Sequence, residues 1–159
     1  MQSITVRPAT IHDVPAMAVL WHERMTLRQL TDRRLRVLPD GQDKWKSAAE
    51  RWLADAKCHI LVAQRDGEAG LIGYIIGHIE PNSPGISPES VGVVRDMAVG
   101  VHSAASGLGH LLLQPLRDWF QSQNVQYLVV YVPHRQPVEQ AFWRSVRASE
   151  WIDLVWITL

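Results

Sequence analysis

At 159 residues, 47% of them hydrophobic, the chain has the length of one domain with a buried core, and neither a disordered nor a fibrous class fits it. Lys plus Arg and Asp plus Glu both number 16, so the zero formal charge provides no basic stripe for nucleic acid and no acidic tail for a basic partner. Cys58 is the only cysteine, which excludes an intrachain disulfide and fits a reducing, cytoplasmic compartment; no signal-like apolar region opens the sequence, and no apolar run is long enough to span a membrane.

In chain order, Ser3 to Arg7 reads as a first strand ended by Arg7-Pro8. Thr10-Ile11-His12-Asp13 then resembles a capping box, with Thr10 as N-cap and Asp13 in place of the usual Glu. The helix it opens is expected from Ile11 to about Leu30, with Val14, Met17, Ala18, Trp21 and Met25 apolar. Thr31 to Asp43 is charged and turn-rich, a loop or frayed helix. Trp45, Ala48, Ala49, Trp52, Leu53 and Ala56 then recur at helical spacing, one apolar stripe. His59 to Gln64 and Leu71 to Glu80 flank the turn signal Arg65-Asp66-Gly67-Glu68 and predict a hairpin. The prolines of Pro81 to Ser90 exclude regular structure there.

Val91 to Val99 is an apolar run interrupted by Arg95 and Asp96, which predicts a buried strand. Small residues follow, and from Leu108 onward Leu111, Leu112, Leu116, Trp119 and Phe120 mark a helix, with a kink expected at Pro115. Tyr127 to Val132 predicts another buried strand, stopped by Pro133. Pro137 to about Val146 predicts a helix with proline in its first turn, and Ile152 to Leu159 a closing strand. The resulting order is β-α-α-β-β-β-α-β-α-β, an α/β class with helices on both faces of a mixed sheet, in a single domain over residues 1–159.

A strand that feeds a glycine-bearing turn and then a helix aims backbone N–H groups and a helix dipole at one spot, where a phosphate can sit. Here that turn is Ala104-Ala105-Ser106-Gly107-Leu108-Gly109. A dinucleotide fingerprint would need a third glycine where Leu112 stands, and no Gly-Lys-Ser/Thr follows for a P-loop. The frame resembles the acyl-CoA loop of the GNAT superfamily of N-acetyltransferases, Arg/Gln-x-x-Gly-x-Gly/Ala, which holds the CoA pyrophosphate. Gly107 and Gly109 match; Ala104 stands where the family has a basic or amide side chain. The element order is also similar to the GNAT layout across the whole chain, which implies a mostly antiparallel sheet.

The resemblance implies acetyl-CoA as co-substrate, bound by Ala104, Ala105, Ser106, Gly107, Leu108 and Gly109. Backbone groups of Met97, Ala98 and Val99 would meet its pantetheine and thioester, and a backbone N–H there would hold the oxyanion. The family pattern Asn-x-x-Ala-x-x-Phe-Tyr falls on a stretch from Gln136 to Phe142 and Trp143, which adds Gln136 and Phe142 to the cofactor contacts. Trp143 takes the place of the tyrosine that protonates the departing thiolate, and an indole cannot serve as that acid. Asp96 is the candidate general base, since the acceptor ammonium must lose a proton; a salt bridge to Arg95 or Arg7 is the alternative role. Glu80 is the second candidate base, beside His78, and His102, His110 and His134 are candidate residues of the cleft mouth. No cluster has metal-ligand spacing, so no metal is expected. The implied function is N-acetylation of a primary amine on a small molecule or peptide, without nucleic acid or membrane partners, a homodimer being left open. A domain that binds acyl-CoA or a protein partner without turnover is the other reading.

Overall fold

Alternation of apolar residues in the strand segments decides which helices each face of the sheet receives. The computed structural model describes residues 3–103 and 107–159. Strands β1 (Ile4–Pro8), β2 (Cys58–Arg65), β3 (Gly73–Pro81), β4 (Ser90–Val99) and β5 (Leu128–Val130) lie side by side in that order. Neighbours are antiparallel except β4 and β5, which run parallel and are joined through a helix, so the sheet is mixed and mostly antiparallel, as expected.

Side chains of a strand point alternately to its two faces. Ile60 and Val62 of β2, with Tyr74 and Ile76 of β3, pack under α1 (Val14–Thr31) and α2 (Gly41–Leu53). Leu61, Ala63 and Ile75 turn the other way, under α3 (Leu108–Ser122) and Trp143 of α4 (Pro137–Ser145). Each face thus has its own core. On the first, Trp45 stacks on Trp21 at 5.9 Å and meets Tyr74 at 5.6 Å. On the second, Leu108, Leu112, Leu116 and Phe120 form one buried stripe of α3. The helix runs through Pro115 without a break in its span.

Two strand glycines set how near α3 comes. A Cβ at Gly77 would lie 2.6 Å from Leu116 Cδ1, and one at Gly92 would lie 2.7 Å from Phe120 Cε1. The Phe120 ring fills the hollow these two residues leave, which is the usual reason for glycine inside a strand.

The turn between β1 and α1 forms as its spacing predicts. Asp13 Oδ2 accepts the Thr10 backbone N–H at 2.7 Å, and Arg7 donates to both carboxylate oxygens at 2.8 Å. These contacts, the Arg7 hydrogen bond foremost, lower the Asp13 pKa from 3.8 to about 2. A carboxyl whose folded pKa is depressed stabilises the fold fully above its unfolded value and loses that contribution as pH falls toward the folded one. Asp13 is therefore expected to contribute about 1–2 kcal/mol at neutral pH, discounted for the exposure of Arg7, and to lose it between pH 4 and 2. Asp13→Asn should lower Tm at pH 7 and leave it nearly unchanged near pH 2, as followed by thermal melts across that range.

One expected element is absent among the described residues: the closing strand over Ile152 to Leu159 is not formed. Residues 151–159 carry no regular structure, with Trp151 91% and Ile157 79% exposed. A strand-like pattern needs a facing edge, and β5 is only three residues long. The segment runs instead past two loops, where Asp153 meets His134 Nε2 at 3.3 Å and the Arg34 guanidinium covers the Trp156 ring at 5.2 Å.

Candidate active site

A bulge in β4 makes the site. Ile76 of β3 pairs with Asp96, but the next residue, Gly77, pairs with Val94, so Arg95 is left over. Such an extra residue bends its strand and increases the local twist. β5 follows β4 only from Gly92 to Val94, so Asp96 to Val99 have β3 on one side and no described strand on the other. A gap therefore opens along the last residues of β4, near the first turn of α3, where Met97 approaches Gly109.

On the α3 side of that gap stand Met97 and Val99, packed against the second core. Gly107 is the N-cap of α3 and has φ 71°, a left-handed conformation that glycine adopts without steric cost. Among the described residues, chain neighbours aside, a Cβ there would meet no heavy atom within 4 Å. No side chain caps the helix among the described residues, and the Leu108 and Gly109 N–H groups belong to the first turn, whose donors point outward. Gly109 has a different role: a Cβ would lie 2.7 Å from Phe142 Cε2 and 3.1 Å from Met97 Cε. Met97, Gly109 and Phe142 thus come together in one contact. Leu108 is fully buried and packs in the second core. Ala104, Ala105 and Ser106 lie outside the described residues.

On the α1 side stands Asp96, its side chain 9% exposed. Its partner is neither Arg95 nor Arg7, the two basic residues named from sequence: Arg95 pairs with Glu80 at 3.0 Å and Arg7 with Asp13. Asp96 instead makes an ion pair with Arg24 of α1. Tyr74 donates its hydroxyl to Oδ2 at 2.6 Å, and the Met97 N–H donates to Oδ1 at 2.9 Å. Burial, then the Asp96 charge, pushes the Tyr74 hydroxyl well above its ordinary pKa, so it stays a donor. Arg24 also reaches Glu139 of α4 at 3.5 Å, and Arg28 reaches the same carboxylate at 3.2 Å. One acid on α4 and two bases on α1 thereby link helices that lie on opposite faces of the sheet.

Glu80 is not brought to Asp96. It pairs across the strands with Val91, at the end of β4 remote from Val99, and is held by Arg95. Gln136 donates to Thr31 Oγ1 at 2.8 Å, at the end of α1 rather than at the Gly109–Phe142 contact. Trp143 is a core residue, 8% exposed and packed edge-on to Phe142. His110 lies edge-on to Phe142 at 5.1 Å, close to the start of α3, whereas His134 is beside the C-terminal segment. Burial raises the Cys58 thiol to about 12, which leaves it a poor nucleophile. No group of three or more His, Cys, Asp or Glu is placed to hold a metal among the described residues. No described helix is long and apolar enough to cross a membrane.

Arg24, Tyr74 and Glu139 were not singled out by the sequence reading. Arg24 and Arg28 do repeat at i and i+4 on α1. Nothing local signals their partners, which lie 72 positions away for Asp96 and 111 for Glu139.

The model of the acetyltransferase (GNAT) family matches residues 22–146, from within α1 to just past the end of α4. Curated proteins give no match. Among solved structures, the aminoglycoside 6'-N-acetyltransferase AAC(6')-Ih of Acinetobacter baumannii is 16% identical with a TM-score of 0.74, over 99% of this chain and 98% of that one. The aminoglycoside N-acetyltransferase AAC(6')-Iy, in complex with CoA, is 12% identical with a TM-score of 0.80, over 100% and 96%. A ribosomal-protein-alanine N-acetyltransferase of Brucella melitensis is 18% identical with a TM-score of 0.71, over 98% and 99%. Identities this low speak for the fold alone. The family model covers most of the chain, and the chain belongs to the GNAT acetyltransferase family.

Proposed function

We propose that the chain is an acetyl-CoA-dependent N-acetyltransferase that acts on a primary amine of a small molecule or peptide, by direct transfer with both substrates bound. The observation that carries this reading is the β4 bulge, which opens the sheet beside the start of α3, where no side chain caps the helix among the described residues. Gly107 and the first N–H groups of α3 fit a pyrophosphate. The structure of AAC(6')-Iy, similar in fold, is one in complex with CoA. Bound acetyl-CoA supplies the activated acyl group. The chain's own part is to hold it along Met97 to Val99 and to receive the amine at Asp96. Trp143 offers no proton there, because its indole N–H does not ionise and the side chain belongs to the core.

CoA at 100 times its dissociation constant should stabilise the fold by about 2.7 kcal/mol, read as a thermal shift. Gly107→Val forces a branched residue into the left-handed region at the head of α3 and should remove most of that shift, read against the variant's own unliganded Tm, which the strain also lowers. Equal shifts in both proteins would show that this turn does not hold the cofactor. Release of free thiol from acetyl-CoA with a panel of primary amines then tests turnover. If CoA binds and no amine releases thiol, the chain is a binding module.

A further inference from the structure

A pocket of about 400 Å³ opens between α1, the loop that follows it and the first turn of α2. Its walls are mainly apolar: Trp21, Met25, Val37, Leu38 and Trp45 all line it. The stacked rings of Trp21 and Trp45 give it an aromatic floor. The loop is fixed over the helix by the Val37 N–H, which donates to Gln29 Oε1 at 3.1 Å. The charged residues in the lining are Arg28, Arg36 and Lys44, with no carboxylate among the lining residues. The nearby acids already have partners, Asp40 with Lys44 at 2.9 Å and Glu139 with Arg28 and Arg24.

Arg28 is the informative wall. Its Nη2 reaches Glu139, but its Nε–H is buried and has no acceptor among the described residues. A buried donor without a partner is costly, so a small turn of the guanidinium that brings Nε–H to a ligand carboxylate in the pocket would be favoured. One helical turn earlier on α1, Arg24 pairs with Asp96, so the pocket and the candidate base share one helix face.

We infer that the pocket takes the apolar or aromatic body of an acceptor that carries a carboxylate as well as its amine, the carboxylate meeting Arg28 and the amine directed to Asp96. This rests on the acetyltransferase reading for the fate of the amine, but the pocket's preference for an anion can be tested without turnover. A polycation such as an aminoglycoside, the acceptor class in the names of several similar structures, would find no carboxylate in this lining and would face Arg36, so it is disfavoured.

The test is calorimetric titration of the full chain with 3-phenylpropanoate, 3-phenylpropanamide and 3-phenylpropylamine, which share a body and differ in charge. The carboxylate should bind at least tenfold tighter than the amide, and the amine weakest. Arg28→Met should bring carboxylate and amide to similar affinity. Arg36→Gln, at an exposed site where folding is not at stake, should narrow the gap severalfold. Amine binding as tight as carboxylate binding, or a preference unchanged in both variants, would overturn the proposal. Phenylalanine and its amide, compared as acceptors in the thiol-release assay, separate the two readings. Probe binding with the expected preference but no thiol release with these or any amine of the panel sinks the enzyme and keeps the pocket. Turnover that favours the amide keeps the enzyme and sinks the pocket.

Discussion

Asp96→Asn is expected to lower turnover by about 10²–10⁴, the usual worth of a positioned general base, with the CoA-induced thermal shift unchanged. The ground for this lies in how the carboxylate is held. A carboxylate offers about four lone-pair sites. Arg24, the Tyr74 hydroxyl and the Met97 N–H occupy three of them, which leaves one for an incoming amine. Asparagine keeps the shape and one acceptor oxygen, and Arg24 retains Glu139 as partner, so the fold should survive the exchange. What asparagine cannot do is take a proton. Steady-state kinetics and melts on the same preparation give the answer. Should Tm fall by several degrees, with CoA binding and activity declining together, Asp96 would be a structural ion pair to Arg24 and nothing more. Thiol release untouched by the substitution would move the base elsewhere, with Glu139 the nearest carboxylate on the same arginine.

Features fixed by short-range spacing were legible in the sequence. Thr10 and Asp13 stand three apart, and that distance alone closes the turn. The apolar stripe of α3 announces a helix that must lie on a sheet. Features that need a partner were not. The alternation in Asp153-Leu154-Val155-Trp156-Ile157 describes what the segment would do beside an edge, but β5 offers only three residues of it. The sequence offers Arg95 or Arg7 as partner of Asp96, but the partner lies on α1, because side chains across a sheet and a helix meet through packing that no local pattern records. Trp143 shows a related limit. Its place in a family pattern says which residue it replaces, whereas its burial beside Phe142 says that the helix turns this position into the core. The bulge at Arg95 follows the same logic: a charged residue within an apolar strand can mark a buried ion pair or an extra residue, and only the pairing with β3 distinguishes them.

Filling the hollow under Phe120 is expected to cost more than any other small substitution in the sheet. Gly77→Ala would place a methyl 2.6 Å from Leu116 Cδ1 and 2.8 Å from Phe120 Cζ, and Gly92→Ala would place one 2.7 Å from both Phe120 Cε1 and Leu128 Cδ2. Distances below 3 Å require α3 to lift or the ring to leave its rotamer, and overpacking of this kind costs about 1–3 kcal/mol per site. The two sites share one ring, so the double variant should not be additive. After the first methyl has displaced Phe120, the second meets less resistance. Phe120→Leu alone removes buried ring atoms and should destabilise by about 1–3 kcal/mol. In a Gly92→Ala background it should cost much less, because the smaller side chain makes room for the methyl. Urea denaturation of the four proteins of that cycle measures the coupling. Strict additivity would mean that Phe120 does not sit over Gly92, and that some other feature sets the distance between α3 and the sheet. A lifted α3 would also move Gly107 and Gly109 relative to the end of β4, so CoA binding should weaken in Gly92→Ala and recover, at least in part, when Phe120→Leu is added.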